Sequence, residues 1–264
     1  MLLAFMITFS CSDPHSSNQL GNDENLTNNS EYNLETCTTD IANNVPAFFH
    51  KYFHCVTARL STSGNYVNLY YNGKPPYESW YYSANDPNYT AFVSQGNEYY
   101  NNPNTISESD IVISIPVNPV KIPNHQIEPN AVDGVINTDA YEYPMNSIGT
   151  ALNGVHLFNP LAGPGDIIES EAYSFDLYFG HPENRGNYHY HTISPGPLEV
   201  LKYKLPSHVT QTIPGTAEIE LYGIMCDGTV IMGCTELNKS NPVFFQLDAQ
   251  NGHVHDMIDE TGTT

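Results

Sequence analysis

The sequence predicts a mainly β fold, a single β-rich, loop-rich domain with one or two short helices, set behind an N-terminal signal and a flexible tether. Three observations lead there. Across 264 residues the chain carries 19 tyrosines, 18 glycines and 19 prolines, while the strong helix formers Ala and Leu are sparse beside Asn, Ser and Thr. Strand-like segments recur from residue 65 onwards, several of them alternating apolar with polar as a sheet with one wet face does. Between residues 37 and 264 no 3.6-residue apolar stripe runs over three or more turns.

The first element is the apolar run MLLAFMITFS over residues 1–10, which ends in small residues before Cys11. It is far shorter than the roughly 20 apolar residues that a membrane-spanning helix needs. It reads as a lipoprotein signal, residues 1–11, with Cys11 lipidated as the mature N-terminus; a plain secretory signal and a chance apolar terminus are the alternatives. The protein is therefore expected to be exported to the cell envelope, periplasmic or outer-surface, and held to a membrane by a lipid on Cys11. Residues 12–36 are polar and acidic without periodicity, so a disordered tether is expected there and a folded domain over 37–264.

Within the domain the strand candidates in chain order are YVNLYYN from Tyr66, IVISIPV (111–117), VLKYKL (200–205), AEIELYGI (217–224), TVIMG (229–233) and VFFQL (243–247). Residues 96–147 are dense in Asn, Pro, Ser and Asp and read as long surface loops around one or two short strands. Asp227-Gly228 reads as a turn between two strands. Apart from Cys11, four cysteines remain in a chain expected to be exported. Cys37 with Cys55 and Cys226 with Cys234 are the pairings that close local loops, although four cysteines permit three connectivities. A two-residue turn at Asp227-Gly228 would set Cys234 opposite Leu221 instead of Cys226, so that bridge requires a wider loop.

Charge narrows the partners. Eight Lys and Arg against 29 Asp and Glu leave a net charge of −21, and the few cations form no patch, so nucleic acid is not an expected partner. No G-x-S-x-G, H-E-x-x-H or P-loop pattern points to a named reaction.

Histidine carries the strongest signal. Five of the 11 histidines fall into two groups, His181, His189 and His191, then His253 and His255. Each group follows a D-x3-G-H pattern, Asp176 to His181 and Asp248 to His253, and each holds an H-x-H pair. Residues i and i+2 of a strand project from the same face about 6.5–7 Å apart, so each pair can aim two imidazoles at one point. Imidazole suits copper or zinc, whereas calcium and magnesium prefer oxygen. Asp176 and Asp248 are candidate ligands or acceptors for an imidazole N–H, and Gly180 and Gly252 would permit a tight turn before each group. A metal-free pocket and a structural hydrogen-bond network remain alternatives. His15, His50, His54, His125, His156 and His208 read as non-ligands, and Tyr188 and Tyr190 as strand residues packing on the opposite face.

These segments resemble the YHYH-domain proteins, whose name tetrapeptide stands here as Tyr188-His189-Tyr190-His191. TALNGVHLFNP (150–160), EAYSFDLYFGHPENRGNYHYH (171–191), YGIMCDGTVIMG (222–233) and LDAQNGHVH (247–255) are similar to four ordered segments of that family, so the matching core runs from about 146 to 264, with a looser likeness from about 55. Phe179 and Asn251 precede the Gly-His steps where other members often show Cys or Asn. The resemblance implies an exported, histidine-rich domain of cell-envelope proteins, and a second Y-H-x-H beyond Thr264 that would supply further ligands. It supplies no reaction.

The functional expectation is an envelope lipoprotein that binds or buffers a transition metal, copper or zinc, through His181, His189, His191, His253 and His255 with Asp176 and Asp248. One alternative is a metal-dependent hydrolase or copper oxidase in which Asp176 or Asp248 acts as general base. The other is a surface-binding domain whose acidic loops and tyrosines contact carbohydrate or calcium. Changing Cys11 to Ser is expected to move the protein from the membrane to the soluble fraction; unchanged membrane association would remove the lipid anchor from the account.

Overall fold

The computed structural model describes residues 31–120, 147–159, 162 and 167–233. Among them the chain forms ten strands and three short helices: β1 (Asp40–Ile41), α1 (Ala47–Tyr52), β2 (Thr57–Leu60), β3 (Tyr66–Tyr71), β4 (Ile111–Pro116), β5 (Ser147–Ala151), β6 (His156–Phe158), α2 (Ile168–Glu171), β7 (Gly180–Pro182), β8 (Tyr188–Tyr190), α3 (Pro195–Lys204), β9 (Leu221–Met225) and β10 (Val230–Met232). A single 3₁₀ turn, Ala172–Ser174, continues α2. The fold is mainly β, in two mixed sheets.

The first sheet has the order β1-β2-β3-β4, parallel between β1 and β2 and antiparallel elsewhere. Its alternation is the one the sequence displays: Val67, Leu69 and Tyr71 of β3 and Ile111, Ile113 and Ile115 of β4 turn inward. The register pairs Val67 with Ile115 and Leu69 with Ile113. That apolar face joins Phe49, Phe53, Leu198, Leu201 and Leu221 in the larger core.

The second sheet runs β10-β9-β5-β6-β8-β7, with β6 and β8 parallel and the other pairs antiparallel. A second core, built from Tyr77, Trp80, Tyr81, Tyr82 and Ile106, packs against Ala151, Val155, Leu157, Tyr188 and Tyr190 of this sheet and its loops. The loop-rich stretch before β4 thus covers one face of the sheet.

Three segments differ from expectation. VLKYKL is the second half of α3 and not a strand. Ser194 caps that helix by accepting from the Gly196 N–H at 3.1 Å, with Pro195 opening its first turn. Leu198, Val200 and Leu201 are buried, whereas alternation would have buried every second residue. Lys204 at its last turn donates to the carbonyls of His50 and Phe53 at 2.7 and 2.6 Å, tying α3 to the end of α1. In AEIELYGI only Leu221 onwards is strand. Residues 31–36, assigned by composition to the tether, fold onto the domain: the Tyr32 N–H donates to Asn88 Oδ1 and Asn88 Nδ2 donates to the Tyr32 carbonyl, both at 2.7 Å. Asn88 is buried, so this exchange satisfies an amide that water cannot reach.

Cys37 and Cys55 form a disulfide with Cα atoms 5.2 Å apart, joining the segment before β1 to the link between α1 and β2. Cys226 is also disulfide-bonded; its expected partner Cys234 and the strand candidate VFFQL lie outside the described residues. The link from β9 to β10 runs through residues 226–229, wider than a two-residue turn, with Gly228 at φ 92° donating its N–H to the Met225 carbonyl.

Candidate metal centre

The centre is built on the β7–β8 hairpin, and its geometry starts at Asp176. The Asp176 carboxylate accepts from the Tyr178 N–H (2.9 Å) and Gly180 N–H (3.3 Å) through Oδ1, the Asx pattern that folds a turn on its own side chain. The Tyr188 hydroxyl also donates to Oδ1 at 2.7 Å, and the Ser79 hydroxyl donates to Oδ2 at 2.6 Å. Burial raises this carboxyl to about 6, against the opposing pull of those four donors. Asp176, expected as a ligand or as an acceptor for an imidazole, uses Oδ1 to shape the turn and Oδ2 to accept from Ser79.

The D-x3-G-H turn also reassigns its glycine. The left-handed residue is Phe179, at φ 61°, a conformation uncommon outside glycine. Gly180 is needed for space: a Cβ there would lie 2.5 Å from both Cζ and the hydroxyl oxygen of Tyr188. The absent side chain is what lets Tyr188 reach Asp176.

The hairpin register sets His181 directly opposite His189. His191 lies two residues beyond His189 and so shares its face. Each of the three offers one ring nitrogen, and these atoms all lie within 4.8 Å of one another. The ring centroids of His189 lie 4.7 Å from those of both His181 and His191. Phe158 stacks on His189 at 3.9 Å, and Phe175 meets His181 edge-on at 5.0 Å, so aromatic walls fix the rings.

The Nδ1 partners determine which nitrogen remains available. His189 Nδ1 lies 3.0 Å from the Asn187 carbonyl and His191 Nδ1 lies 2.7 Å from the Asn159 carbonyl. A carbonyl only accepts, so each Nδ1 carries the proton. His181 Nδ1 lies 2.6 Å from the Ser174 hydroxyl, whose own hydrogen goes to the Glu171 carbonyl at 2.8 Å, so this Nδ1 donates as well. All three neutral rings therefore keep their lone pair on Nε2. The Nε2 atoms of His189 and His191 are 3.0 Å apart.

Burial lowers all three basicities: His181 falls to about 3, with His191 adding repulsion, while His189 and His191 are lowered chiefly by burial. The cluster is a set of neutral nitrogen donors at pH 7. A fourth group, unanticipated from sequence, stands beside it: Glu171 Oε2 lies 3.4 Å from His191 Nε2. Its one sequence signal is its position at the head of the EAYSFDLYFGHPENRGNYHYH segment. His156 pairs with His189 across β6 and β8, but its Nδ1 lies 3.4 Å from the Tyr71 hydroxyl and it does not join the group. Asp248, His253 and His255 lie outside the described residues. Cys37, His54 and Cys55 also cluster, but both sulfurs are spent in the disulfide.

On the other face of β8, Tyr188 and Tyr190 are fully buried. Tyr190 accepts from Asn153 Nδ2 at 2.9 Å and bonds the Tyr77 hydroxyl, which in turn donates to Tyr188 at 3.3 Å. The chain of hydroxyls ends on Asp176. These tyrosines anchor the strand that presents the imidazoles.

Two outcomes follow from this geometry. Gly180→Ala is expected to lower unfolding free energy by about 1–3 kcal/mol, the usual cost of overpacking, read from the urea midpoint; a midpoint equal to wild type would show that the turn does not depend on this contact. Metal-free protein is expected to lose stability as pH falls. His181 and His156 titrate near 3 and 4 in the fold but at about 6.5 when unfolded, so the unfolded chain takes up protons first below that value. Asp176, raised to about 6, opposes this over the interval below 6 but is outnumbered. A urea midpoint at pH 5 equal to or above that at pH 7.5, in chelator, would contradict the assignment.

Residues 113–243 match the family model described as YHYH protein. The match begins within β4, earlier than the expected core, contains Glu171, His181, His189 and His191, and stops short of Asp248. No curated protein and no solved structure matches the chain. The segment from Asp176 to His191, set on one hairpin, and the family match over residues 113–243 together make this chain a member of the YHYH protein family.

Proposed function

We propose that this YHYH domain binds a transition metal, copper or zinc, through Nε2 of His181, His189 and His191, in a lipid-anchored protein of the cell envelope. The single observation that carries the reading is the commitment of every Nδ1 to an acceptor, which turns the three lone pairs inward. Two neutral imidazoles with Nε2 atoms 3.0 Å apart and no proton between them repel. A cation bound to both removes that repulsion. Nitrogens on a tetrahedral zinc, at about 2.0–2.1 Å from the ion, are separated by roughly 3.3 Å, close to the spacing present. The low basicity of the rings means that a metal competes with few protons at neutral pH.

Glu171 is placed to add an oxygen ligand, or to balance the charge of the ion. The acceptors behind the imidazoles, Asn159, Asn187 and Ser174, do the orienting that metal-bound histidines require. Asp248, His253 and His255, as the second D-x3-G-H copy, are candidates for the remaining positions. Retention or buffering of the metal is the role favoured by such a ligand set, and imidazole donors favour copper or zinc over calcium.

The test is elemental analysis of the full chain after exposure to copper or zinc and removal of loosely held metal. About one equivalent is expected in the wild type and in His50→Ala/His208→Ala, whose side chains are exposed, with loss of stoichiometric uptake in His189→Ala/His191→Ala. Equal uptake by both double variants would refute the site.

A further inference from the structure

The cluster does not face a closed interior on every side. His191 also lines a cavity of about 440 Å³ whose walls include Tyr99, Ile168, Phe175, Phe179 and Ile193. That volume falls within the usual range of small-molecule sites, about 300–1,000 Å³, which are mostly apolar with few polar groups. We propose that this cavity binds a small, neutral aromatic molecule carrying one metal-ligating atom, with its ring against the apolar walls and its donor atom directed to the metal held by the histidines. The proposal rests on the metal-binding reading and extends it from retention of an ion to recognition of an organic ligand.

Four observations lead to that ligand class. First, the cavity and the cluster share residues: Phe175 lines the cavity while its ring lies edge-on to His181 at 5.0 Å and parallel to His191 at 6.0 Å. A molecule occupying the cavity is therefore adjacent to His191, with Phe175 between it and His181. Second, the wall is fastened. Gln95 Nε2 donates to the Phe175 carbonyl at 3.3 Å, and the Tyr100 N–H donates to the Tyr173 carbonyl at 3.0 Å, holding the 95–100 segment against the turn after α2.

Third, Phe179 contributes to the lining from a left-handed backbone at φ 61°. A bulky residue stays in that region only where its surroundings hold it there, and such residues recur at ligand sites. Fourth, the charge of the lining selects against anions. Among the described residues no Lys or Arg lines the cavity, whereas Glu169 does, and the whole chain carries −21. An anionic ligand would enter against that field. Lining residue Ile193 is 39% exposed, and Ile167, next in the chain to lining residue Ile168, is 59% exposed. Apolar area left in water beside a cavity is what an apolar ligand covers.

The experiment uses the full chain loaded with Co(II), its metal content fixed first by elemental analysis, and follows the visible cobalt bands at pH 8. The probes are imidazole, 4-phenylimidazole and benzoate. 4-Phenylimidazole is expected to bind at least about tenfold more tightly than imidazole, because its phenyl ring leaves water for the apolar walls. Benzoate, of similar size but anionic, is expected to bind more weakly than 4-phenylimidazole. Ile168→Asp and, separately, Ile193→Asp are expected to abolish the preference while leaving cobalt stoichiometry unchanged. Full cobalt uptake with equal affinity for the two imidazoles, or a preference that survives both substitutions, would overturn the cavity assignment alone. Tighter binding of benzoate would overturn the neutral class. Failure to take up cobalt would overturn the metal reading and this one with it.

Discussion

The Tyr188 hydroxyl donating to the buried Asp176 carboxylate is the interaction on which the centre depends. It locks the end of a three-residue strand to the turn that precedes the partner strand. Because strand side chains alternate between faces, fixing Tyr188 and Tyr190 on one side of β8 forces His189 to the other. Gly180 is the steric condition for that contact and Ser79 its second anchor. The tyrosines of the tetrapeptide thus hold the hairpin while its histidines converge on the opposite face, a division imposed by a period of two.

The imidazoles show a second constraint, in the bookkeeping of protons. Each ring buries one nitrogen against an acceptor and keeps the other for the cluster. Burial makes it costly to relieve the close Nε2 pair by adding a proton, as the lowered basicities of all three rings express. Low basicity and a geometry suited to a metal ion have the same origin: neutral donors converge where water cannot solvate a charged ring. Glu171 and the cavity beside His191 lie on the accessible side of this arrangement.

Much of this was legible in the sequence where periodicity governed it. The alternation in YVNLYY and IVISIP identified β3 and β4 and their inward faces, and the H-x-H spacing identified the shared face of His189 and His191. VLKYKL misled because a capped ten-residue helix can end in a segment that alternates, and its signal, Ser194 before Pro195, lies upstream of the segment. Asp176 was legible as important but not in its role, since its partners Ser79 and Tyr188 are 97 and 12 residues away. Glu171 reaches His191 across 20 residues through a turn whose path no local pattern encodes. The cavity, assembled from residues 95 to 193, is wholly a product of tertiary packing.

The most direct measurement is long-range ¹H–¹⁵N correlation of the histidine side chains, with and without zinc. The account requires His181, His189 and His191 to be neutral Nδ1–H tautomers at pH 7 in metal-free protein, and all three Nε2 resonances to shift on adding one equivalent of zinc. Nε2–H tautomers at His189 or His191, or Nε2 resonances unmoved by zinc, would contradict it.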